Sequence, residues 1–169
     1  MSSPNNLFLI GPMGAGKSAV GRQLARMLHK SFVDSDDEIE SRTGVDIPFI
    51  FEKEGEAGFR KREAKVLDDL SQQQGMVLAT GGGAVVDEKT RSRLGARGFV
   101  VYLQTSVDQQ LERTRRGRER PLLAAEDPRQ VLEALMADRD PLYREIADLV
   151  VNTDGRRVNA VAKEIFEAL

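Results

Sequence analysis

The sequence predicts an α/β protein in which a parallel β-sheet carries helices on both faces. Five short apolar runs alternate along the chain with segments that have the periodicity of amphipathic helices. The runs are continuously apolar rather than alternating, which is typical of strands that are buried on both faces of a parallel sheet. A glycine-rich stretch follows the first run directly and leads into the first helix, and this strand–loop–helix order is common in such sheets.

Composition narrows the class of protein. The length of 169 residues favours one domain, residues 1–169, and 40% apolar residues can furnish a full core. A net charge of −2 gives no overall basic signature for nucleic acid, and the absence of cysteine excludes disulfides and thiolate metal sites. No apolar run approaches the ~20 residues of a membrane span. We therefore expect a cytoplasmic protein without membrane or nucleic-acid partners, and a monomer, since no helix shows an exposed apolar face.

The first four elements follow from local pattern. The apolar run 7–10 is expected to be a strand, and 16–29 a helix with an apolar stripe on one face. Residues 31–34 form a short strand that ends in an acid. Further acids in the next turn favour a helix that begins there and ends near Gly44.

Glycine and proline residues mark the boundaries of the remaining helices and strands. Residues 49–70 are interrupted by Gly55 and Gly58, which predicts two helices. A central strand at 76–80 runs into three consecutive glycines. The later elements are a helix near 87–95, a strand at 98–103, a helix at 106–113, an irregular basic segment at 115–126, a helix to about 147, a strand at 148–152 and a helix at 157–168.

The glycine-rich stretch is a phosphate-binding loop. Residues 11–18 match the pattern Gly-x-x-x-x-Gly-Lys-Ser between a strand and a helix. The glycines let backbone N–H groups point inward at a helix N-terminus, where they bind anions. Lys17 can reach the outer phosphates, and Ser18 can place its hydroxyl on Mg²⁺. We expect ATP to contact Gly14, Ala15, Gly16, Lys17, Ser18 and Ala19.

Three classes of phosphate-loop protein remain to be separated. A GTPase switch would carry Asp-x-x-Gly and Asn-Lys-x-Asp, and neither string occurs. A motor ATPase would carry an apolar strand ending in Asp-Glu, and no later strand does so. The acids Asp34 and Asp36 instead follow the second strand. These features favour a kinase of a small molecule.

Several further motifs converge on one family. They are Asp34-Ser35-Asp36, Phe59-Arg60-x-x-Glu63, Gly81-Gly82-Gly83, Arg120-Pro121-Leu122-Leu123 and Arg139-Asp140-Pro141-Leu142-Tyr143. With the phosphate loop, they resemble the shikimate kinase family in order and spacing. The resemblance implies transfer of the ATP γ-phosphoryl group to the 3-hydroxyl of shikimate, in the biosynthesis of chorismate and aromatic amino acids. It also implies a three-layer α/β/α fold like that of the nucleoside monophosphate kinases, with sheet order 2-3-1-4-5 and a mobile lid.

The resemblance assigns roles to the acids and arginines. Asp34 would lie near Mg²⁺, through water, and Asp36 would bind the substrate hydroxyls as orienter or base. Helix capping by Asp36 or by Ser35 is the alternative for this segment. Arg60 and Arg139 would bind the shikimate carboxylate, in a substrate-binding region of about 34–63 plus Arg139, and Glu63 would orient Arg60.

Glycines and aromatic residues complete the expected substrate site. Gly81, Gly82 and Gly83 either form a tight turn or allow close approach of a ligand, and the resemblance places Gly82 and its neighbours against shikimate. Phe51 and Phe59 either form an apolar wall beside the ring or pack in the core.

A basic segment of about 113–126 resembles the lid. The resemblance gives Arg120 the phosphates and the developing charge, and it gives Arg113 a stacking contact with adenine. Arg156 lies in a segment that resembles a second adenine loop. The alternative for the basic segment of about 113–126 is a solvated loop. Arg115, Arg116 and Arg118 receive no assigned role.

Two other functions stay open: a kinase of another hydroxylated metabolite such as gluconate, and a regulatory protein that binds nucleotide without turnover.

Overall fold

A computed structural model describes residues 5–116 and 127–169, with side chains through 113 in the first range. Five strands and seven helices are found there. The strands are β1 (Leu7–Ile10), β2 (Ser31–Asp34), β3 (Met76–Ala79), β4 (Phe99–Gln104) and β5 (Leu149–Asn152). The helices are α1 (Lys17–Leu28), α2 (Ser35–Thr43), α3 (Ile47–Ser71), α4 (Glu88–Arg97), α5 (Val107–Arg116), α6 (Pro128–Ile146) and α7 (Val158–Ala168).

The sheet is parallel throughout and has the order β2-β3-β1-β4-β5, as predicted. β1 lies in the centre, where Leu7 is opposite Val77 of β3 and Phe99 of β4. The carboxyl ends of parallel strands share one edge of a sheet, and ligands bind there at the point where the strand order reverses. The loops after β1, β2 and β3 therefore meet at one place.

The core has two parts, one on each face of the sheet. Leu7 and Leu9 of β1 face α1 and α7, whereas Phe8 and Ile10 face α3, α4 and α6. Successive strand side chains point to opposite faces, so a strand covered on both sides is apolar at every position. This alternation explains why the apolar runs in the sequence are continuous, and it confirms the three-layer arrangement.

Three local details refine the predictions. The segment predicted as two helices is divided at Gly55 alone, with φ 71° and ψ −179°, whereas Gly58 keeps helical backbone. Helix α5 continues to Arg116, so the segment predicted to be irregular from 115 begins as helix. A 3₁₀ turn, Ala84–Val86, stands between the three glycines and α4.

Among the residues that the structure describes, no helix is both long enough and apolar enough to cross a membrane.

Candidate active site

The phosphate loop joins the central strand β1 to α1. Gly16 caps α1 with a left-handed φ of 88°, and no side chain caps the helix. The backbone N–H groups of the first turn are therefore presented to the loop rather than taken up by a capping oxygen. A helix N-terminus of this kind attracts a phosphate through its N–H groups and its dipole.

Lys17 lies along the same loop. Its ammonium group donates hydrogen bonds to the carbonyls of Gly11 and Pro12, with the second at 2.9 Å. The ammonium group is thus held against the backbone at the start of the loop, and its contact with the outer phosphates stays a prediction. The structure places Gly14, Gly16, Ser18 and Ala19 around the same cavity, while Ala15 is buried in the core beneath it.

Asp34 joins the phosphate loop to the second strand. Its Oδ2 atom accepts a hydrogen bond from the Ser18 hydroxyl, and its Oδ1 atom accepts from the N–H groups of Asp36 (2.9 Å) and Asp37 (3.3 Å). Asp34 is therefore the cap of α2, and the alternative of capping by Asp36 or Ser35 is wrong. The reason is that β2 runs into α2 without a connecting residue, which places the last strand residue at the capping position.

Ser35 links two loops instead of capping the helix. It is fully buried, and its hydroxyl accepts a hydrogen bond from the N–H of Gly81 at 3.2 Å. The bond joins the start of α2 to the turn after β3. No local sequence signal predicts this contact, because the two residues are 46 positions apart.

The Ser18–Asp34 pair fits a magnesium ion. A hydroxyl and a carboxylate are hard oxygen ligands, and Mg²⁺ is usually held by one or two carboxylates together with substrate phosphates and water. Within the described part of the chain no cluster of three or more His, Cys, Asp or Glu side chains could hold a metal ion. The donor set thus matches a metal that arrives with a nucleotide.

Helix α5 braces the phosphate loop from the opposite side. Gln110, which is 2% exposed, donates from Nε2 to the carbonyl of Met13 at 2.9 Å, and Arg113 donates from Nη1 to the carbonyl of Gly14 at 2.6 Å. The structure therefore places Arg113 at the phosphate loop. Sequence reasoning missed Gln110, because one glutamine on an amphipathic helix carries no motif.

A second cavity, the arginine pocket, adjoins the loop. Its lining residues come from the phosphate loop, α2, α3, α6 and the turn after β3, and they are Met13, Asp36, Ile47, Phe51, Phe59, Arg60, Glu63, Gly81, Gly82, Gly83 and Arg139. Two cations, Arg60 and Arg139, thus face one small space from different helices. The arrangement suits an anionic ligand, because planar guanidinium groups bind carboxylates bidentately.

Arg60 is held by a buried acid. Its Nη1 atom lies 2.7 Å from Oε1 of Glu63, and its Nη2 atom lies 3.5 Å from Oε1 of the more exposed Glu56. Burial raises the pKa of the Glu63 carboxyl, although the cations Arg60 and Arg139 oppose this shift. Oε2 of Glu63 and Nε of Arg60 are buried and have no hydrogen-bond partner among the residues that the structure describes. The contact supports the predicted role of Glu63 as the group that orients Arg60.

The three glycines after β3 are each required by a different neighbour. A Cβ atom at position 81 would lie 2.8 Å from Oε2 of Glu63 and 3.0 Å from Oδ1 of Asp36, and one at position 83 would lie 2.7 Å from Nη1 of Arg60 and closer still to its Nη2. At position 82 it would approach the backbone N of Met13 to 3.3 Å. The close neighbours of these glycines are the protein's own charged side chains and the phosphate loop, and the expected approach of a ligand stays a prediction.

An aromatic pair forms the apolar side of the arginine pocket. The rings of Phe51 and Phe59 lie 4.9 Å apart between centroids, with planes tilted by 31°. Phe59 is 4% exposed and belongs to the core, yet both residues also line the pocket. The two alternatives for these residues, pocket wall and core packing, are therefore compatible.

The cavity lined by Gly14, Gly16, Lys17, Ser18 and Ala19, the phosphate pocket, shares part of its lining with the arginine pocket. The phosphate pocket has a volume of about 250 Å³ and the arginine pocket about 70 Å³. Four residues line both: Met13, Asp36, Gly81 and Gly82. Asp36 is the only carboxylate among the four. An acid therefore stands between a phosphate site and a site for an anion, which is the position needed to orient a hydroxyl for phosphoryl transfer.

Arg156 contacts the segment around it rather than the two pockets. It donates to the carbonyl of Asn152 at 3.0 Å and pairs with Glu164 of α7 at 2.8 Å. Arg120, like Arg118 and most of the predicted lid, lies outside the described residues. The contacts of Arg120 and Arg156 with nucleotide stay predictions.

Comparison with known proteins agrees with this geometry. A family model described as shikimate kinase matches residues 13–169. The chain is 58% identical to a shikimate kinase of Shewanella oneidensis over 169 residues, which cover 100% of this chain and 99% of that protein.

Solved structures give the same result. A shikimate kinase from Acinetobacter baumannii in complex with shikimate has a TM-score of 0.95 and 51% identity, over 97% of this chain and 92% of that one. One from Aquifex aeolicus has a TM-score of 0.81 and 37% identity, over 96% and 94% of the two chains. The chain therefore belongs to the shikimate kinase family.

Proposed function

We propose that the chain phosphorylates the 3-hydroxyl of shikimate with ATP, giving shikimate 3-phosphate and ADP in aromatic amino-acid biosynthesis. The observation that carries the proposal is the position of Asp36, which lines the phosphate pocket and the arginine pocket together. In the reaction, a bond forms between the substrate oxygen and the γ-phosphorus, and the bond from that phosphorus to the β-phosphate oxygen breaks. Asp36 orients the hydroxyl and accepts its proton.

The remaining groups position the two substrates and neutralise the charge of the phosphates. The phosphate loop and Lys17 hold the ATP phosphates, and Arg60 and Arg139 bind the shikimate carboxylate, with Glu63 holding Arg60. Ser18 and Asp34 are the residues that would hold Mg²⁺, which when bound neutralises phosphate charge. We assign Arg120 to the developing charge and Arg113 and Arg156 to adenine, as the family resemblance implies. Gly81, Gly82 and Gly83 contribute backbone against the substrate.

The proposal also covers the domain organisation, the cellular location and the oligomeric state of the protein. We infer that residues 1–169 work as one kinase domain, with a substrate-binding region of about 34–63 and a lid of about 113–126. We further infer a cytoplasmic monomer with no nucleic-acid or membrane partner. Sedimentation of the purified chain with and without ATP measures the oligomeric state directly.

ADP release tests the function. The assay supplies ATP and Mg²⁺ with shikimate, with gluconate, with a nucleoside monophosphate, or with no acceptor. We expect turnover with shikimate only. Asp36→Asn should lower kcat by about 10²- to 10⁴-fold, the usual contribution of general acid–base catalysis. Arg139→Ala should raise the KM for shikimate by roughly 10- to 100-fold, because a bond to a charged group is lost.

Arg62→Ala is the matched control. Arg62 lies two residues from Arg60 but pairs with Glu54 at the surface, at 2.6 Å. Its removal should leave both kinetic constants within about twofold, since exposed ion pairs contribute little. Gluconate-dependent turnover would favour the related metabolite kinase, and ATP binding without any acceptor-dependent ADP would favour a regulatory protein.

A further inference from the structure

Tyr143 ends one of the motifs, and none of the roles above uses it. Its side chain is 1% exposed on α6, and its hydroxyl donates a hydrogen bond to the carbonyl of Gly82 at 2.5 Å. Arg139 lies one helical turn earlier on α6, and both side chains line a small cavity against the phosphate loop. The phenol oxygen of Tyr143 thus joins α6 to the turn after β3.

The tyrosine ring is itself held in place. It stacks on Tyr102 of β4, with centroids 4.8 Å apart and planes tilted by 34°. Tyr102 is fully buried and donates to Asp140 at 2.7 Å. Burial raises the pKa of the Tyr143 phenol, so the group keeps its proton near neutral pH and remains a donor to Gly82.

The partner of the hydroxyl lines the arginine pocket, as does the next residue, Gly83. The Gly82 carbonyl and the Gly83 N–H belong to one planar trans peptide, so fixing the carbonyl toward Tyr143 turns the N–H to the opposite side. The bond therefore sets which way this peptide faces at the wall of the pocket.

We propose that Tyr143 is a positioning residue for substrate binding, which orients the Gly82–Gly83 peptide toward a carboxylate-bearing substrate. The proposal rests on the function proposed above. A purely structural role is the alternative, since a buried aromatic ring stabilises the core whether or not its hydroxyl acts on the pocket.

Two Tyr→Phe variants separate these roles. Tyr143→Phe keeps the ring and removes the hydroxyl that faces the pocket. Tyr102→Phe removes the hydroxyl of the other buried tyrosine of the stacked pair, whose bond runs to Asp140. We expect Tyr143→Phe to raise the KM for shikimate about tenfold, equivalent to about 1.4 kcal/mol. Its KM for ATP and its kcat should stay within about twofold of wild type, and Tyr102→Phe should leave all three constants within the same range.

A measurement on the unsubstituted chain keeps the test independent of variant folding. The sequence contains two tyrosines only, so labelling with 3-fluorotyrosine gives two fluorine signals, which Tyr102→Phe assigns. Saturating shikimate should shift the Tyr143 signal more than the Tyr102 signal. An unmoved Tyr143 signal, or a Tyr143→Phe enzyme with raised KM for ATP and shikimate alike, would overturn the positioning role. Failure of wild type to use shikimate would instead overturn the function itself.

Discussion

The phosphate pocket and the arginine pocket are neighbours that are built in opposite ways. The phosphate pocket depends mainly on backbone N–H groups from eight consecutive residues, 11–18, which follow one strand and begin one helix. The arginine pocket depends on side-chain charges from α2, α3 and α6, between positions 36 and 139. A site made of local backbone is encoded in a short motif, whereas a site made of distant side chains requires the whole fold to assemble it.

The largest effect is expected from a substitution that removes a charged side chain from the phosphate pocket. Lys17→Ala should lower kcat by about 10²- to 10³-fold, the usual loss when one fixed group that stabilises developing charge is deleted. If the two pockets are independently built, shikimate binding measured by calorimetry should persist in this variant. Loss of shikimate binding together with turnover would show that the pockets are not separate units.

An intermediate effect is expected from a substitution at one of the glycines that line the arginine pocket. Gly83→Ala places a Cβ within 2.7 Å of the guanidinium nitrogens of Arg60. The arginine must move, so we expect the KM for shikimate to rise and the free energy of unfolding to fall by about 1–3 kcal/mol, as in other overpacked sites.

Gly95→Ala is the control for that substitution. Gly95 lies in α4, and a Cβ atom added there would have no heavy atom of another segment within 4 Å. Its replacement should leave kinetics unchanged and stabilise the helix by about 0.5–1 kcal/mol. Urea unfolding and shikimate KM, measured on both variants, compare them directly; equal behaviour would contradict the clash with Arg60.

The smallest expected effect concerns the acid beneath the arginine pocket. Burial raises the pKa of Glu63 above its ordinary 4.5, so the contribution of this group to stability is largest at low pH and is lost as pH rises through the folded-state pKa. Glu63→Gln cannot titrate. The free energy of unfolding of the variant minus that of wild type should therefore increase from pH 5 to pH 8.

Urea titrations at several pH values measure that difference. A change of about 1 kcal/mol or less is expected for a single buried group with compensating cations. A difference that decreased with pH would show that the bond to Arg60 outweighs burial. In either case the KM for shikimate should rise, because Arg60 loses the charged partner that holds it at 2.7 Å.

Sequence patterns were most informative about features whose geometry depends only on residues adjacent in the chain. The apolar runs located all five strands. Those of β1, β3 and β4 are nearly continuous because both faces are covered, whereas the edge strands β2 and β5 are partly exposed. The phosphate-loop motif placed Lys17 and Ser18 at the N-terminus of α1, because that geometry needs only adjacent residues. Gly58 shows where such reasoning fails: a glycine permits a break, and the contacts around it decide whether the helix continues.

The amino-acid sequence alone determined the layer order, the phosphate loop and, through motif resemblance, the residues of the arginine pocket. Only the tertiary structure decided that Asp34 caps α2 while contacting Ser18, that Gln110 braces the loop, and that Tyr143 bonds to Gly82. These contacts join positions up to 97 apart in the chain. Their geometry depends on how helices pack on the sheet, which no short window of sequence specifies.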